Sequence, residues 1–294
     1  MAMRLATFTH RGTTRLGVVA GDGVIDLAAA APGLPRDMIA FLMAGPPALD
    51  AARAASAKPD TRLPLAEVRL EAPVPRPGKF LAIGLNYADH VAESGMEKPW
   101  VPIFFNKQST CVVGPSDPVH LPRASSLLDY EGELGFVIGR RCRHVSRDRA
   151  AEVIAGYVVV DDVSVRDWQL RTPTMTMGKS FDTHGPMGPW LVTPDEVGDP
   201  HVLGLRTWVN GELRQESNTS QLIFDCFAQV EHLSTAFTLE PGDVVTTGTP
   251  SGVGGAMKPP RFLVAGDVVR IEIERVGRIE NRVIAEPDDT PCLG

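Results

Sequence analysis

The run Leu128-Asp129-Tyr130-Glu131-Gly132-Glu133-Leu134-Gly135-Phe136-Val137-Ile138 constrains this chain more than any other. Its second half is apolar and reads as a buried strand, and two carboxylates stand at its head. Alternate side chains of a strand share a face. Glu131 and Glu133 therefore point the same way, about 7 Å apart at roughly 3.4 Å per residue. Like charges held that close need a neutraliser or a solvated edge. Two readings follow: an edge strand with two wet acids, or the start of a site for a hard divalent cation, since Mg²⁺ and Mn²⁺ take carboxylate oxygens.

The chain around this run has 294 residues, 43% hydrophobic and 22% charged, enough for a substantial core without staples. The net charge of −7 disfavours nonspecific binding to nucleic acid or to anionic membrane. An anionic substrate would need a local positive centre, such as a metal or a lysine. Cys111, Cys142, Cys226 and Cys292 form no C-x-x-C and no zinc pattern, which suggests a reducing compartment. No signal-peptide core and no apolar run of membrane length is visible, so the cytoplasm is the expected location.

Residues 3–8, 15–20 and 24–27 read as strands, and residues 36–44 and 48–57 as helices broken at Gly45-Pro46-Pro47. They suggest a small N-terminal α+β domain over 1–73. The proline-rich Pro73–Gly78 is a plausible boundary to a larger body over 74–287, followed by a tail at 288–294. That body reads as short strands between Gly/Pro turns, a β-rich barrel or rolled sheet. Asn210-Gly211 signals a hairpin, and residues 220–237 have helical spacing.

Four further segments carry chemistry. In Gly84–Gly95, Asn86 suits a helix N-cap and Gly95 a stop. His90 and Glu93 then share a face, either as an incidental surface pair or as an imidazole oriented for general-base work. In Val158–Trp168 a strand ends in Asp161-Asp162, and either acid could cap a helix starting near Ser164 or complete a cation site begun by Glu131 and Glu133. Lys179, among Gly, Ser and apolar residues, is a surface lysine or a partly buried one able to stabilise an enolate. Thr247–Gly254 is a tight turn or a backbone cradle for an anion.

Together these segments resemble the fumarylacetoacetate hydrolase family. The matching pieces occur in the family's order: GLNYADHVAESG, DYEGELGFVIG, DDVSVRDWQ, GKSFDTHGPMGP and GDVVTTGTPSGVG, with closing strands at 260–283. The resemblance covers roughly residues 75–285. It implies a mixed β-sandwich roll, often dimeric, with a small N-terminal domain in longer members. It implies Mg²⁺ or Mn²⁺ held by Glu131, Glu133 and Asp162, a His90–Glu93 dyad, an active-site Lys179, and Thr249 in the loop holding a substrate carboxylate. Position 85 is Leu where some acylpyruvate-acting relatives carry Arg, which removes a possible anion contact. The expected activity is hydrolysis of a C–C bond in a 2,4-dioxo acid, with a small 2-oxo acid as substrate. The alternative at the same site is decarboxylation, or isomerisation of an unsaturated 2-oxo diacid.

Overall fold

The computed structural model describes residues 3–57 and 59–290. It is β-rich α+β, as the strand-dense sequence predicts. The large sheet runs in the order 62–64, 23–26, 13–20, 4–10, 185–192, 154–161, 132–138, 244–246, 80–84, 103–107. Its centre is the strand Gly132–Ile138, buried at every residue. That strand pairs antiparallel with Ile154–Asp161 on one side, Gly132 opposite Asp161, and with Val244–Thr246 on the other. A second, five-stranded sheet holds residues 212–218, 204–209, 268–273, 277–285 and 119–121. Leu134, Phe136, Tyr157 and Val159 of the large sheet share a core with Leu205, Ile271, Ile273 and Ile279 of the second. The two sheets thus pack face to face as a sandwich.

The opposite face of the large sheet is covered too. Val137, Val158 and Val160 pack with Met3, Leu5, Phe41, Leu42 and Ala52 from the N-terminal part. Burial on both faces explains why the central strands read as unbroken apolar runs rather than alternating ones. The N-terminal strands extend the same sheet: Arg4–His10 pairs with Gly185–Val192, Leu5 opposite Leu191.

Several local expectations shift. The two expected N-terminal helices form as Met38–Met43 and Pro46–Ala55, so the prolines begin the second of them instead of separating the pair. A proline loses nothing there, because first-turn N–H groups have no helical partner. The expected helix over 220–237 shrinks to Cys226–Ala236, capped by the Asp225 carboxylate. Leu222 bridges to Tyr87 instead. The Asn210-Gly211 hairpin forms, both residues at positive φ. Most of the expected tail, including Cys292, lies outside the described residues. Among those described, no helix is long and apolar enough to cross a membrane.

Candidate active site

Five buried acids meet three bases at the end of the central strands. Glu131 precedes the strand Gly132–Ile138, and Glu133 is its second residue. Asp162 follows the neighbouring strand, where Gly132 opposes Asp161. The Asp162 N–H donates to the Glu131 carbonyl at 2.9 Å, fixing the two turns together. One carboxylate oxygen from each of Glu131, Glu133 and Asp162 lies within 4.8 Å of the others. The solvated-edge alternative fails, since all three residues are buried.

Lys179 enters this cluster. It is 2% exposed, with Nζ 2.7 Å from Glu131 Oε2 and 2.8 Å from Asp162 Oδ2. Burial disfavours its ammonium, but Asp162 and Glu131 more than offset that and raise its pKa. A surface lysine is thereby excluded. Neither aspartate caps the short helix Arg166–Gln169. Asp161 accepts the Glu131 N–H at 2.9 Å, and Asp162 joins the cluster.

Three partners carried no role in the sequence reading. Arg166 bridges Asp129 and Glu131. Asp129 also takes the N–H groups of Gly254 and Gly255, each at 2.8 Å. Lys107, on the strand Ile103–Lys107, sits 2.7 Å from Asp162 Oδ1. The alternation in Ile103-Phe104-Phe105-Asn106-Lys107 was a usable signal, because it puts Lys107 on the face of a buried phenylalanine.

These residues fit a divalent cation on three counts. The donors are all hard oxygens. Glu133 Oε1 is buried with no hydrogen-bond partner, although Oε2 takes the Gly248 N–H at 2.8 Å and the Thr246 hydroxyl. Charge gives the third count. Asp129, Glu131, Glu133, Asp161 and Asp162 face only Lys107, Arg166 and Lys179, which leaves two negative charges if all are ionised. The strain falls unevenly. Burial pushes the Glu131 carboxyl up, but Lys179 and Arg166 overcome it and hold it at about 2. Burial, then Asp162 and Glu131, drive Glu133 well above the carboxylate range. Burial lifts Asp161 to about 7, against the Glu131 N–H and helped by Asp162. One divalent cation would cancel the surplus.

His90 and Glu93 lie on the helix Ala88–Ser94, ended by Gly95 in the left-handed region. Asn86 does not cap it. Its amide donates to the Phe224 and Thr247 carbonyls and accepts the Phe224 N–H, tying three loops together. His90 Nδ1 lies 3.1 Å from Glu93 Oε2. The other Glu93 oxygen accepts the Gly252 N–H at 2.9 Å. Gly252 has φ +101°, and a Cβ there would sit 2.0 Å from the Arg214 carbonyl oxygen, so only glycine brings this loop close enough. The loop 247–254 is thus the bridge between the dyad and the acids, through Gly252 at one end and Gly248 at the other.

Thr249 is placed in that loop but is engaged with the fold. Its hydroxyl donates to the Gly132 carbonyl at 3.1 Å and accepts from Gln215 Nε2 at 2.8 Å.

A family model described as fumarylacetoacetate (FAA) hydrolase, C-terminal, matches residues 79–284. The chain belongs to the fumarylacetoacetate hydrolase family. Residues 3–73 match a second model, Rv2993c-like, N-terminal. Among relatives of this hydrolase family, the mitochondrial oxaloacetate tautomerase fahd2 of Xenopus laevis is 44% identical over 290 residues, 97% of this chain and 91% of that one. The maleylpyruvate hydrolase of Sphingobium sp. SYK-6, solved with manganese(II) and pyruvate, is 36% identical, with TM-score 0.81 over 97% of this chain and all of that one. The 2-hydroxyhepta-2,4-diene-1,7-dioate isomerase of Mycobacterium marinum is 34% identical, with TM-score 0.77 over the same shares. The family therefore spans hydrolases, isomerases and tautomerases on one fold.

Proposed function

We propose that this chain is a divalent-cation-dependent enzyme that interconverts the enol and keto forms of a 2-oxo diacid of the oxaloacetate kind. The observation that carries this reading is the convergence of Glu131, Glu133 and Asp162 beside the buried Lys179 ammonium. These three acids would hold Mg²⁺ or Mn²⁺. The cation would supply Lewis-acid polarisation of the 2-oxo group, which acidifies the adjacent C3–H. Lys179 offers a second positive centre to the enolate oxygen. His90, oriented by Glu93, carries the proton between C3 and the 2-oxygen, taking it from one and delivering it to the other, so that the C–H bond broken is matched by the O–H bond formed. The near full-length identity to an oxaloacetate tautomerase supports this choice of reaction.

A second reading is hydrolysis of a 2,4-dioxo acid. It is favoured by the same His90–Glu93 pair, which would equally activate a water, and by the likeness to a maleylpyruvate hydrolase. In that case His90 accepts the water proton, and the Lys179 ammonium stabilises the leaving enolate.

The test is a comparison of two rates with Mg²⁺ or Mn²⁺ present. One is decay of enol-oxaloacetate absorbance, with malate dehydrogenase reporting the keto form. The other is pyruvate release from a panel of acylpyruvates, with CO₂ followed separately. EDTA-sensitive enol decay that outpaces pyruvate release supports tautomerisation, and the reverse order moves the assignment to the hydrolase. Undiminished activity in EDTA would remove the cation from either scheme.

A further inference from the structure

We propose that Lys107 is a positioning residue that fixes the Lys179 ammonium at the reacting end of the site. The proposal deepens the functional reading above and rests on Lys179 contacting the enolate-like oxygen.

Lys107 is fully buried at the end of the strand Ile103–Lys107, on the large sheet's edge. A buried ammonium survives only when its protons are used. Lys107 Nζ has two partners, one by charge and one by hydrogen bond. It lies 2.7 Å from Asp162 Oδ1, and it donates to the main-chain carbonyl of Lys179. Asp162 is in turn the carboxylate whose other oxygen receives Lys179 Nζ at 2.8 Å. Lys107 therefore grips Lys179 at both ends, by its backbone directly and by its ammonium through Asp162.

The rest of the strand adds a third hold. Phe105 shares the buried face with Lys107, and Lys179 Nζ stands 5.2 Å from its ring centroid. Lys107 Nζ itself stands 5.8 Å from the Phe80 ring, on the paired strand. Lys179 sits in a segment without regular structure, between the short helix Arg166–Gln169 and the strand Gly185–Val192. A flexible four-carbon stem on such a segment needs external anchors to hold one geometry.

A purely structural lysine and a positioning lysine make different predictions. In Lys107→Met the charge goes and the shape is roughly kept. Asp162 loses a competing cation, so Mn²⁺ affinity should hold or tighten, by up to about tenfold for one buried charge. Lys179 loses its backbone anchor, so a planar dianion that mimics an enolate should bind worse. Oxalate is the probe. Mn²⁺ affinity is read by electron paramagnetic resonance on the folded protein, and oxalate affinity by calorimetry on the Mn²⁺-loaded protein.

We expect oxalate to weaken at least about tenfold in Lys107→Met, the scale of one lost charge-assisted contact. Lys107→Gln keeps a donor for the Lys179 carbonyl and should fall between. Oxalate affinity within about twofold of the parent in Lys107→Met would overturn the proposal. So would Mn²⁺ and oxalate weakening together, which marks a lysine that merely supports the cation ligands. If Lys107→Met does not fold, Lys107→Gln carries the same comparison. A parent protein that binds Mn²⁺ and oxalate yet converts no 2-oxo acid would sink the functional reading alone and leave the oxalate comparison intact.

Discussion

Cation binding to this site should release a proton, and Glu133 should be its main source. A proton on Glu133 would offset one of the two surplus negative charges, since burial and the nearby Asp162 and Glu131 push its pKa well up. A cation needs that carboxyl ionised, so its binding displaces the proton. Protons and Mg²⁺ then compete, and affinity falls as pH falls. The expected slope is about one log unit in Kd per pH unit, or about 1.4 kcal/mol of binding free energy per unit. Asp161, held at about 7, adds a second proton only toward and below neutrality. Asp161 therefore contributes least above neutrality, where it is mostly ionised, and there the difference between parent and a Glu133 variant isolates Glu133. Glu133→Gln keeps the side chain's shape and can still accept from the Gly248 N–H, but it has no proton to lose. The assay is Mg²⁺ titration by calorimetry in two buffers of different ionisation enthalpy, which counts protons directly. The parent should release more protons per Mg²⁺ than the variant, by up to about one, and the variant should bind more weakly. Equal release from both proteins would refute the charge-balance account, and so would pH-independent binding in the parent.

Three other consequences can be checked independently. On the proposed role of the dyad as a proton carrier that holds no cation, His90→Ala should lower kcat about 10²–10⁴-fold while leaving Mg²⁺ affinity nearly unchanged; parallel loss of both would contradict that division. Gly252→Ala should distort the 247–254 loop, since the new Cβ meets the Arg214 carbonyl oxygen at 2.0 Å. Denaturant titration should read a loss of about 1–3 kcal/mol, with turnover reduced through the lost Glu93 tether. Finally, His184 donates from Nε2 to the His120 carbonyl at 2.8 Å, and its Nδ1 is buried without a partner. Burial holds its pKa at about 3, below the ordinary 6.5. The unfolded imidazole takes a proton below 6.5 while the folded one stays neutral to about 3, so acidification favours unfolding. Between pH 7 and 5 this removes about 2 kcal/mol, and urea midpoints of His184→Gln at the two pH values should show that increment missing.

Much of this site was legible because it rests on local rules. The apolar run after Glu133 could only be a strand. Its period of two puts Glu131 and Glu133 on one side whatever the fold. The i,i+3 spacing of His90 and Glu93 aligns them on any helix, and a glycine stop ends that helix at 95. Asn210-Gly211 turns a hairpin by its own backbone preference. By contrast, Asn86 looked like a cap because short amides usually are, yet its amide ties together segments far apart in the chain. Leu222 and Ile223 match a helical face, but Leu222 makes an isolated bridge to Tyr87 and the Ile223 N–H donates to the Asn86 carbonyl instead.

What the sequence by itself determined, then, is the central buried strands, the Asn210-Gly211 turn, and the pairing of Glu131 with Glu133 and of His90 with Glu93. What only the tertiary structure decided is the charge balance around them. Lys107, Asp129 and Arg166 each look like ordinary polar residues in their own segments, and the segment around Lys179 leaves open whether that lysine is buried. Lys107 bonds to a carbonyl 72 positions away, and Lys179 pairs with a carboxylate 48 positions away. Local propensity acts over a few residues, whereas a buried ion pair depends on which sheet edges meet, and that is set by the packing of the whole core.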